Sequence, residues 1–171
     1  LFPFTTLFRS GMFGAGFGPD DKDSSLYAVS LGQGGLSLPD RDYYLKDSFA
    51  AKLKQYQEHV QKMFVLLGEK PKTAETDAAT VIALETELAK ASRTRVELRD
   101  PNKNYNKFTG DELATKTPAL LWNVYFDGLN LTKPAYEIVG QPEFFDAVNS
   151  LVQTRPLSDW KVYLRWHLLH A

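Results

Sequence analysis

The sequence contains no cysteine, which excludes disulfide bonds, thiolate catalysis and cysteine-based metal sites. It contains only three histidines, His59, His167 and His170, so a histidine metal site has few candidate ligands. Neither sign of charge predominates, because the formal net charge is −1. A chain without a basic excess cannot neutralise many phosphates, and we expect no nucleic-acid partner.

Long apolar runs are also lacking. No stretch reaches the length of a transmembrane helix, and the first residues lack the basic, apolar and small-residue order of a signal peptide. Hydrophobic residues still make up 43% of the chain and charged residues 24%, the balance of a globular rather than a disordered protein. With 171 residues, the chain is long enough for one domain with a core.

The first ten residues read LFPFTTLFRS. Translating a common short-read sequencing adapter gives this peptide with Tyr in place of Phe4. Our hypothesis is that residues 1–10 are a sequencing artefact and that the domain covers residues 11–171. The alternative is an ordinary strand-like start, because Phe, Thr and Leu favour strands.

Alternating side chains predict a strand near the N-terminus. Tyr27, Val29 and Leu31 lie on one face of residues 26–31, and glycines follow. The glycine-rich residues 11–18 are interpreted as either a strand or a loop. Residues 135–139 are predicted to form a further short strand.

Apolar residues spaced by four and three predict a long amphipathic helix. They are Phe49, Leu53, Tyr56, Val60, Met63 and Leu67. Asp47 or Ser48 can cap its start, Gly68 can end it, and Pro71 prevents its continuation. Thr73 is predicted to cap a second helix that packs antiparallel to the first.

Three more helices are predicted. Thr109 and Glu112 match a capping box for a short helix, Pro142 suits the first position of another, and Ser158-Asp159 begins a last one. That helix reaches the final residue without a stop signal, so we expect the sequence to be a piece of a longer reading frame. The fold class is mainly α, a multi-helix lobe with a small β-strand region near the N-terminus.

The histidines do not form a zinc-peptidase motif. Such a motif needs two His one helical turn apart, with Glu directly after the first. His59 is preceded by Glu58 and has no second His four residues later. His167 and His170 are three apart without an intervening carboxylate; they are interpreted as core or interface histidines in preference to metal ligands. We predict no catalytic residue and no metal site in this chain.

Asp40-Arg41-Asp42 lies between Pro39 and a pair of tyrosines. It is interpreted as a turn, or the first turn of a short helix, whose ion pairs and capping bonds fix how the strand enters the helical region. A catalytic acid pair is the less favoured alternative. Asn130-Leu131-Thr132 formally fits a glycosylation acceptor, a triplet that often occurs by chance.

Residues 35–44 read Gly-Leu-Ser-Leu-Pro-Asp-Arg-Asp-Tyr-Tyr. This string resembles the Gly-Leu-x-Leu-Pro-x-Arg-Asp-Tyr-Tyr motif of the neprilysin and endothelin-converting-enzyme family. Residues 18–25, 100–109 and 160–167 resemble further blocks of that family in the same order, so the resemblance covers residues 11–171. It marks the following residues as a family motif with a structural role: Leu38, Pro39, Asp40, Arg41, Asp42, Tyr43 and Tyr44.

The resemblance implies that the parent protein is a zinc endopeptidase of small peptides. Its zinc would be held by the two His of H-E-x-x-H and a later Glu in a C-terminal catalytic domain, which is missing here. Zinc would polarise the peptide carbonyl and activate water, with the Glu as general base. This fragment would form part of the helical lobe that covers the active-site cavity, and would itself be inactive and free of cofactor.

The resemblance also implies an exported protein, whether periplasmic, extracellular or membrane-anchored. A competing hypothesis is a stand-alone helical module that binds peptides or other proteins without catalysis. In-frame DNA after codon 171 that encodes H-E-x-x-H would favour the peptidase, and an immediate stop codon would favour the module. A third hypothesis, a metal protein that uses His167 and His170, predicts zinc retention by the purified chain.

Overall fold

The computed structural model describes residues 11–129, 131 and 135–170. These residues form seven α-helices and one four-stranded sheet, which confirms the predicted mainly α lobe with a small β-region. The strands are β1 (Phe13–Pro19), β2 (Tyr27–Gln33), β3 (Asn106–Phe108) and β4 (Glu137–Val139). The helices are α1 (Asp42–Leu45), α2 (Ala50–Leu66), α3 (Pro71–Ala91), α4 (Gly110–Lys116), α5 (Trp122–Gly128), α6 (Pro142–Thr154) and α7 (Leu157–His170).

Two sequence predictions concern positions outside this description. They are the assignment of residues 1–10 to an artefact and the acceptor asparagine of the triplet at residues 130–132. Of the helices described, none is both long enough and apolar enough to cross a membrane.

The sheet is mixed, with strand order β1-β2-β4-β3. β1 and β2 form an antiparallel hairpin in which Phe13 pairs with Gln33. β2 and β4 are parallel, so the chain between them must cross over, and it does so through α1 to α5. Val29 and Leu31 on β2 are buried as their alternation predicts, whereas Tyr27 on the same face is exposed at the far end of the hairpin.

The first two long helices follow the sequence prediction except at their starts. A 3-10 turn at Asp47–Phe49 precedes α2, and no side chain caps α2. α3 begins at Pro71 rather than near Thr73. Proline at the first helical position loses no hydrogen bond and its φ already suits the helix, so Pro71 starts this helix as well as separating it from α2.

α3 lies at the centre of the lobe and contacts α1, α2, α6 and α7. One hydrophobic cluster lies between α3 and the sheet, with α6 and the α4–α5 region closing it; another lies between α3 and helices α1, α2 and α7. The first includes Leu84, Leu88, Phe144 and Tyr163, and the second includes Tyr56, Val60, Phe64, Val81 and Trp166.

The later helices begin close to their sequence signals. Thr109 and Glu112 form the predicted capping box at the start of α4, and Pro142 occupies the first turn of α6. α7 begins at Leu157, just before Ser158. These starts depend on local hydrogen bonds and on fixed backbone angles, which is why the sequence alone predicts them.

Candidate functional site

The family-like motif Leu38–Tyr44 connects the sheet to the helices. Pro39 and Asp40 form the turn, and Asp42 begins α1. Of these seven side chains only that of Tyr44 is buried, at 7% exposure. The motif therefore lies at the surface and inserts one tyrosine towards α3.

Asp40 holds the turn in shape. Its carboxylate accepts a 2.8 Å hydrogen bond from the backbone N–H of Asp42 and a 2.7 Å ion-pair contact from Arg95 Nε. Asp42 in turn pairs with Lys46 one helical turn later, at 2.6 Å. A carboxylate that accepts a free N–H at a helix start stabilises that start. The two acids thus have structural partners on the protein itself.

A fully buried carboxylate, Glu85 of α3, lies beneath the motif. Tyr44 donates a hydrogen bond to its Oε2 at 2.8 Å. Ser37 and Tyr56 donate to its Oε1 at 2.6 and 3.0 Å, and His167 Nε2 lies 3.1 Å from the same oxygen. The loop after β2 and helices α1, α2 and α7 therefore all reach one side chain on α3.

The direction of these hydrogen bonds is determined by their neighbours. The backbone N–H of Leu38 donates to the Tyr44 hydroxyl at 3.0 Å, and the indole N–H of Trp166 donates to the Tyr56 hydroxyl at 2.7 Å. Backbone and indole N–H groups can only donate, so each tyrosine accepts from them and directs its own hydrogen at Glu85. Glu85 is consequently an acceptor in both bonds.

The tyrosines around Glu85 have raised pKa values. Burial raises the pKa of Tyr44 and of Tyr56 far above the ordinary value, and the charge of Glu85 raises both further. Burial followed by the same charge also raises the pKa of Tyr163 on α7. A phenol next to a buried carboxylate resists ionisation because two negative charges would then lie together in a medium of low dielectric.

The loop before the motif is fixed by Gly35. Its φ is +75°, and its carbonyl accepts a 2.8 Å hydrogen bond from Tyr163. A Cβ at this position would lie 2.5 Å from the Tyr163 hydroxyl oxygen and 2.8 Å from the Met12 carbonyl oxygen. Both the backbone angle and the lack of space therefore require glycine here.

Glu85 and Glu87, two residues apart on α3, point to different sides of the helix. Glu87 is at the surface and pairs with Lys90 at 2.8 Å, whereas Glu85 is fully buried. The sequence prediction missed that Glu85 is the hub of a polar cluster. The available signal was its position on α3 beside Leu84 and one turn before Leu88 and Ala89, all of which are buried.

The histidines take part in packing. His167 is buried against Glu85 and the ring of Tyr163. His170 stacks on Trp166 at 5.2 Å between ring centroids, and His59 meets the edge of the same indole. Among the residues that the structure describes, no group of three or more His, Asp or Glu side chains could hold a metal ion.

A second carboxylate cluster lies at the turn of the β1–β2 hairpin. The buried Asp20 accepts hydrogen bonds from the backbone N–H of Lys22 at 2.8 Å, from Tyr136 at 2.7 Å and from Tyr105 at 2.9 Å. These bonds, first that of Lys22 and then that of Tyr136, lower the pKa of Asp20 to about 2 despite its burial. The cluster connects the hairpin to the segments that lead into β3 and β4.

Arg93, just after α3, connects the helices to the sheet. Its guanidinium pairs with both carboxylate oxygens of Glu143 and donates to the backbone carbonyl of Gly140 at 3.0 Å. Burial works against the charge of Glu143, but the Arg93 hydrogen bonding, a backbone hydrogen bond and the positive charge of Arg93 together outweigh it and lower the pKa of that carboxyl. Gln33 also exchanges two hydrogen bonds with the Arg93 backbone. Arg93 is therefore bonded to an acid rather than solvated.

Solved structures identify the class of protein to which this arrangement corresponds. The chain superposes on Zmp1, a zinc metalloprotease of Mycobacterium tuberculosis solved with an inhibitor, with a TM-score of 0.89 and 33% identity. The match covers 96% of this chain and 26% of that one. PepO from Lactobacillus rhamnosis HN001 shares the fold, with a TM-score of 0.78 at 16% identity. The fold is that of a helical region found within zinc metalloproteases.

The family follows from the sequence comparison. A sequence model of the N-terminal region of peptidase family M13 matches residues 4–171, and the chain belongs to that family. It is 32% identical to an endothelin-converting enzyme homolog of Locusta migratoria, over 93% of this chain and 23% of that protein. It is 30% identical to neprilysin-3 of Drosophila melanogaster, over 82% of this chain and 19% of that protein. The chain thus spans about a quarter or less of these relatives.

Proposed function

We propose that this chain is the non-catalytic part of a zinc metalloendopeptidase that hydrolyses small peptides, and that it forms part of the helical lobe covering the active-site cavity. The observation that carries the proposal is the match to Zmp1, which covers 96% of this chain but only 26% of that zinc metalloprotease. In this proposal the lobe contributes shape, because walls of packed helices admit short peptides and exclude folded proteins.

The side chains that the structure describes in this lobe do not fit a zinc ion. Of the three histidines, His167 contacts Glu85, while His59 and His170 both pack against the Trp166 ring. A catalytic zinc needs three protein ligands and one open position. We therefore place the zinc of the longer polypeptide in its C-terminal catalytic domain, outside these residues, and derive no step through it.

The partner of the lobe in this proposal is that catalytic domain of the same polypeptide. One face of α7 suits such a contact, because Leu157, Leu164 and Leu168 are exposed at spacings of seven and four residues, which places them on one side of a helix. In the longer polypeptide, we expect the backbone amides of α7 to exchange hydrogen more slowly than they do in the 171-residue chain. An exported location follows from the same proposal.

We also propose that the motif Leu38–Tyr44 is structural. Asp40 shapes the turn, and Tyr44 attaches α1 to Glu85 of α3. The polar groups of both residues already have partners within the lobe, so neither residue needs a substrate to satisfy its hydrogen bonds. Residues 1–10 remain our proposed artefact, although the family match begins at residue 4; genomic DNA that encodes LFPFTTLFRS in frame would refute it.

The test has two parts. The DNA that follows codon 171 should continue in frame and encode H-E-x-x-H; an authentic stop codon would favour the stand-alone binding module instead. The longer polypeptide should then cleave a short fluorogenic peptide in a chelator-sensitive manner, and its variant with Gln in place of the Glu of H-E-x-x-H should not. The 171-residue chain supplied with zinc should show no cleavage, and chelator-sensitive cleavage by a clean preparation would contradict the proposal.

A further inference from the structure

Arg41 of the family-like motif lies between two adjoining cavities. One has a volume of about 330 Å³ and is lined by the loop after β2 and by the residues after α3. The other has a volume of about 480 Å³ and lies between α1 and the segment at residues 94–96. Asp40, Arg41 and Arg95 line both cavities, so together these cavities form one groove with Arg41 at its middle, which we name the Arg41 groove.

The carboxylates around this groove are already engaged. Each has at least one donor of its own within the lobe, so Arg41 is not needed for any of them. The partners are Arg95 for Asp40, Lys46 for Asp42, and the backbone N–H and hydroxyl of Thr94 for Glu97. Among the described residues that line the groove, Arg41 is therefore a cation that the local ion pairs do not include.

The guanidinium of Arg41 has no hydrogen-bond or ion-pair partner within the described residues, and its Nε is buried from solvent. A buried N–H without an acceptor is unfavourable, and such groups are rare in folded proteins. The charge of Arg41 nevertheless affects the neighbouring carboxyl group of Glu97. Two hydrogen bonds from Thr94 lower the pKa of Glu97, and the attraction of Arg41 lowers it further.

A guanidinium with a free edge is best matched by a carboxylate, because its parallel N–H groups can bind both carboxylate oxygens. Exposed apolar side chains lie along the Arg41 groove. Val96 is 75% exposed and Leu98 is 40% exposed, and each lines one of the two cavities. The groove therefore combines one unpaired cation with apolar surface on both sides.

We propose that the Arg41 groove binds an extended polypeptide segment through the side-chain carboxylate of an Asp or Glu residue. The carboxylate lies against Arg41, and the flanking apolar residues of the segment contact Val96 and Leu98. This binding needs no zinc and no hydrolysis, so it is independent of the peptidase function proposed above.

The test uses the 171-residue chain labelled with ¹⁵N and two blocked peptides, acetyl-Val-Glu-Val-amide and acetyl-Val-Gln-Val-amide. The Nε–Hε signal of Arg41, assigned through its own backbone, should shift saturably with the glutamate peptide. The glutamine peptide should cause at least about tenfold less shift at equal concentration, because only a carboxylate pairs with the guanidinium. Equal shifts with both peptides, or no shift with either, would overturn the proposal.

Two variants make the test sharper. Arg41→Lys keeps the charge but loses the fork of donors, and should weaken binding of the glutamate peptide by about tenfold. Arg155→Lys makes the same change in a residue that follows α6, pairs with Asp159 and lines neither cavity, and should bind as the unaltered chain does. Equal weakening by both variants would contradict the assignment to Arg41. The wild-type comparison of the two peptides decides the matter even if Arg41→Lys fails to fold.

Discussion

The hydroxyl of Tyr44 donates a 2.8 Å hydrogen bond to Oε2 of Glu85, a residue 41 positions further along the chain. This bond connects the last residue of the motif at the surface to the central helix. Because the Leu38 N–H donates to the same hydroxyl, the start of the motif is held by the same atom as its end. The short helix α1 is thus fixed by a tertiary contact rather than by its own four residues.

Replacing Glu85 with Gln should destabilise the fold strongly. The amide keeps one acceptor oxygen but replaces the other with an NH2 group, so at least one buried hydroxyl that donates to Glu85 would meet a donor, and the remaining hydrogen bonds would lose the charge of their acceptor. We expect a loss of about 3 kcal/mol in the free energy of unfolding, the scale for breaking a buried charged network, as measured by urea denaturation. Glu87→Gln, two residues further along α3 and at the surface, should cost less than about 0.5 kcal/mol. Equal losses would contradict the hub role of Glu85.

Tyr44→Phe isolates one bond of this cluster. It removes the hydroxyl that donates to Glu85 and accepts from Leu38, and leaves the ring in place. We expect a loss of about 2 kcal/mol, because the buried Oε2 of Glu85 loses its donor and the partly buried N–H of Leu38 loses its acceptor. The matched control is Tyr43→Phe, where the ring stacks on Phe49 and should be unaffected. If both variants unfold at the same urea concentration as the wild type, the Tyr44 bond contributes nothing.

Gly35→Ala should be more damaging than Gly68→Ala. Both glycines have positive φ, at +75° and +96°, so each substitution should cause backbone strain of about 1 kcal/mol. Only at Gly35 would the new Cβ also meet Tyr163, Met12 and Leu88 within 3 Å. Overpacking adds about 1–3 kcal/mol, so we expect Gly35→Ala to lose about 3 kcal/mol and Gly68→Ala about 1 kcal/mol. Equal losses of stability for the two variants, measured by thermal unfolding, would show that the loop moves to make room for the new Cβ at residue 35.

Acid should weaken the hairpin connection at Asp20. The pKa of this carboxyl is about 2 in the folded chain, against an ordinary 3.8, so the folded state binds its proton less readily than the unfolded state does. The stabilisation is fully present above pH 3.8 and is lost as the pH falls from 3.8 to about 2. The stability difference between wild type and Asp20→Asn should narrow across that window.

The control for this pH series is Asp21→Asn, which removes the same charge from an exposed neighbour. The two variants share the change in net charge, so a narrowing seen only for Asp20→Asn belongs to the hydrogen bonds that Asp20 accepts from the backbone N–H of Lys22 and from Tyr136 and Tyr105. A constant difference between Asp20→Asn and wild type from pH 5 to pH 2 would contradict the lowered pKa.

Local signals in the sequence predicted much of the fold. The capping box at Thr109, the proline at the start of α6 and the alternation in β2 each depend on neighbouring residues alone, and each prediction was confirmed. The start of α3 was predicted too late, because Pro71 was interpreted only as a barrier to α2. The short strand β3 was not predicted, since its three residues become a strand only by pairing with β4.

The site depended on information that is not local. The motif at residues 38–44 was visible as a string, but its one buried contact is with a glutamate on another helix. In the sequence, Glu85 differs from Glu87 only in its neighbouring residues. No short-range pattern predicts that a loop, two tyrosines and a histidine contact Glu85. The unpaired state of Arg41 likewise follows from which carboxylates the fold gives to other donors.

The sequence by itself determined the helical lobe, its small sheet, most of its helix starts and the peptidase family that it resembles. These features arise from periodicity, backbone angles and short-range hydrogen bonds, which a linear pattern records. Only the tertiary structure decided which polar side chains are buried together and left the buried Nε of Arg41 without a partner among the described residues. A buried polar group is stable only where several distant segments bring it donors or acceptors at once, and that coincidence exists only after the chain has folded.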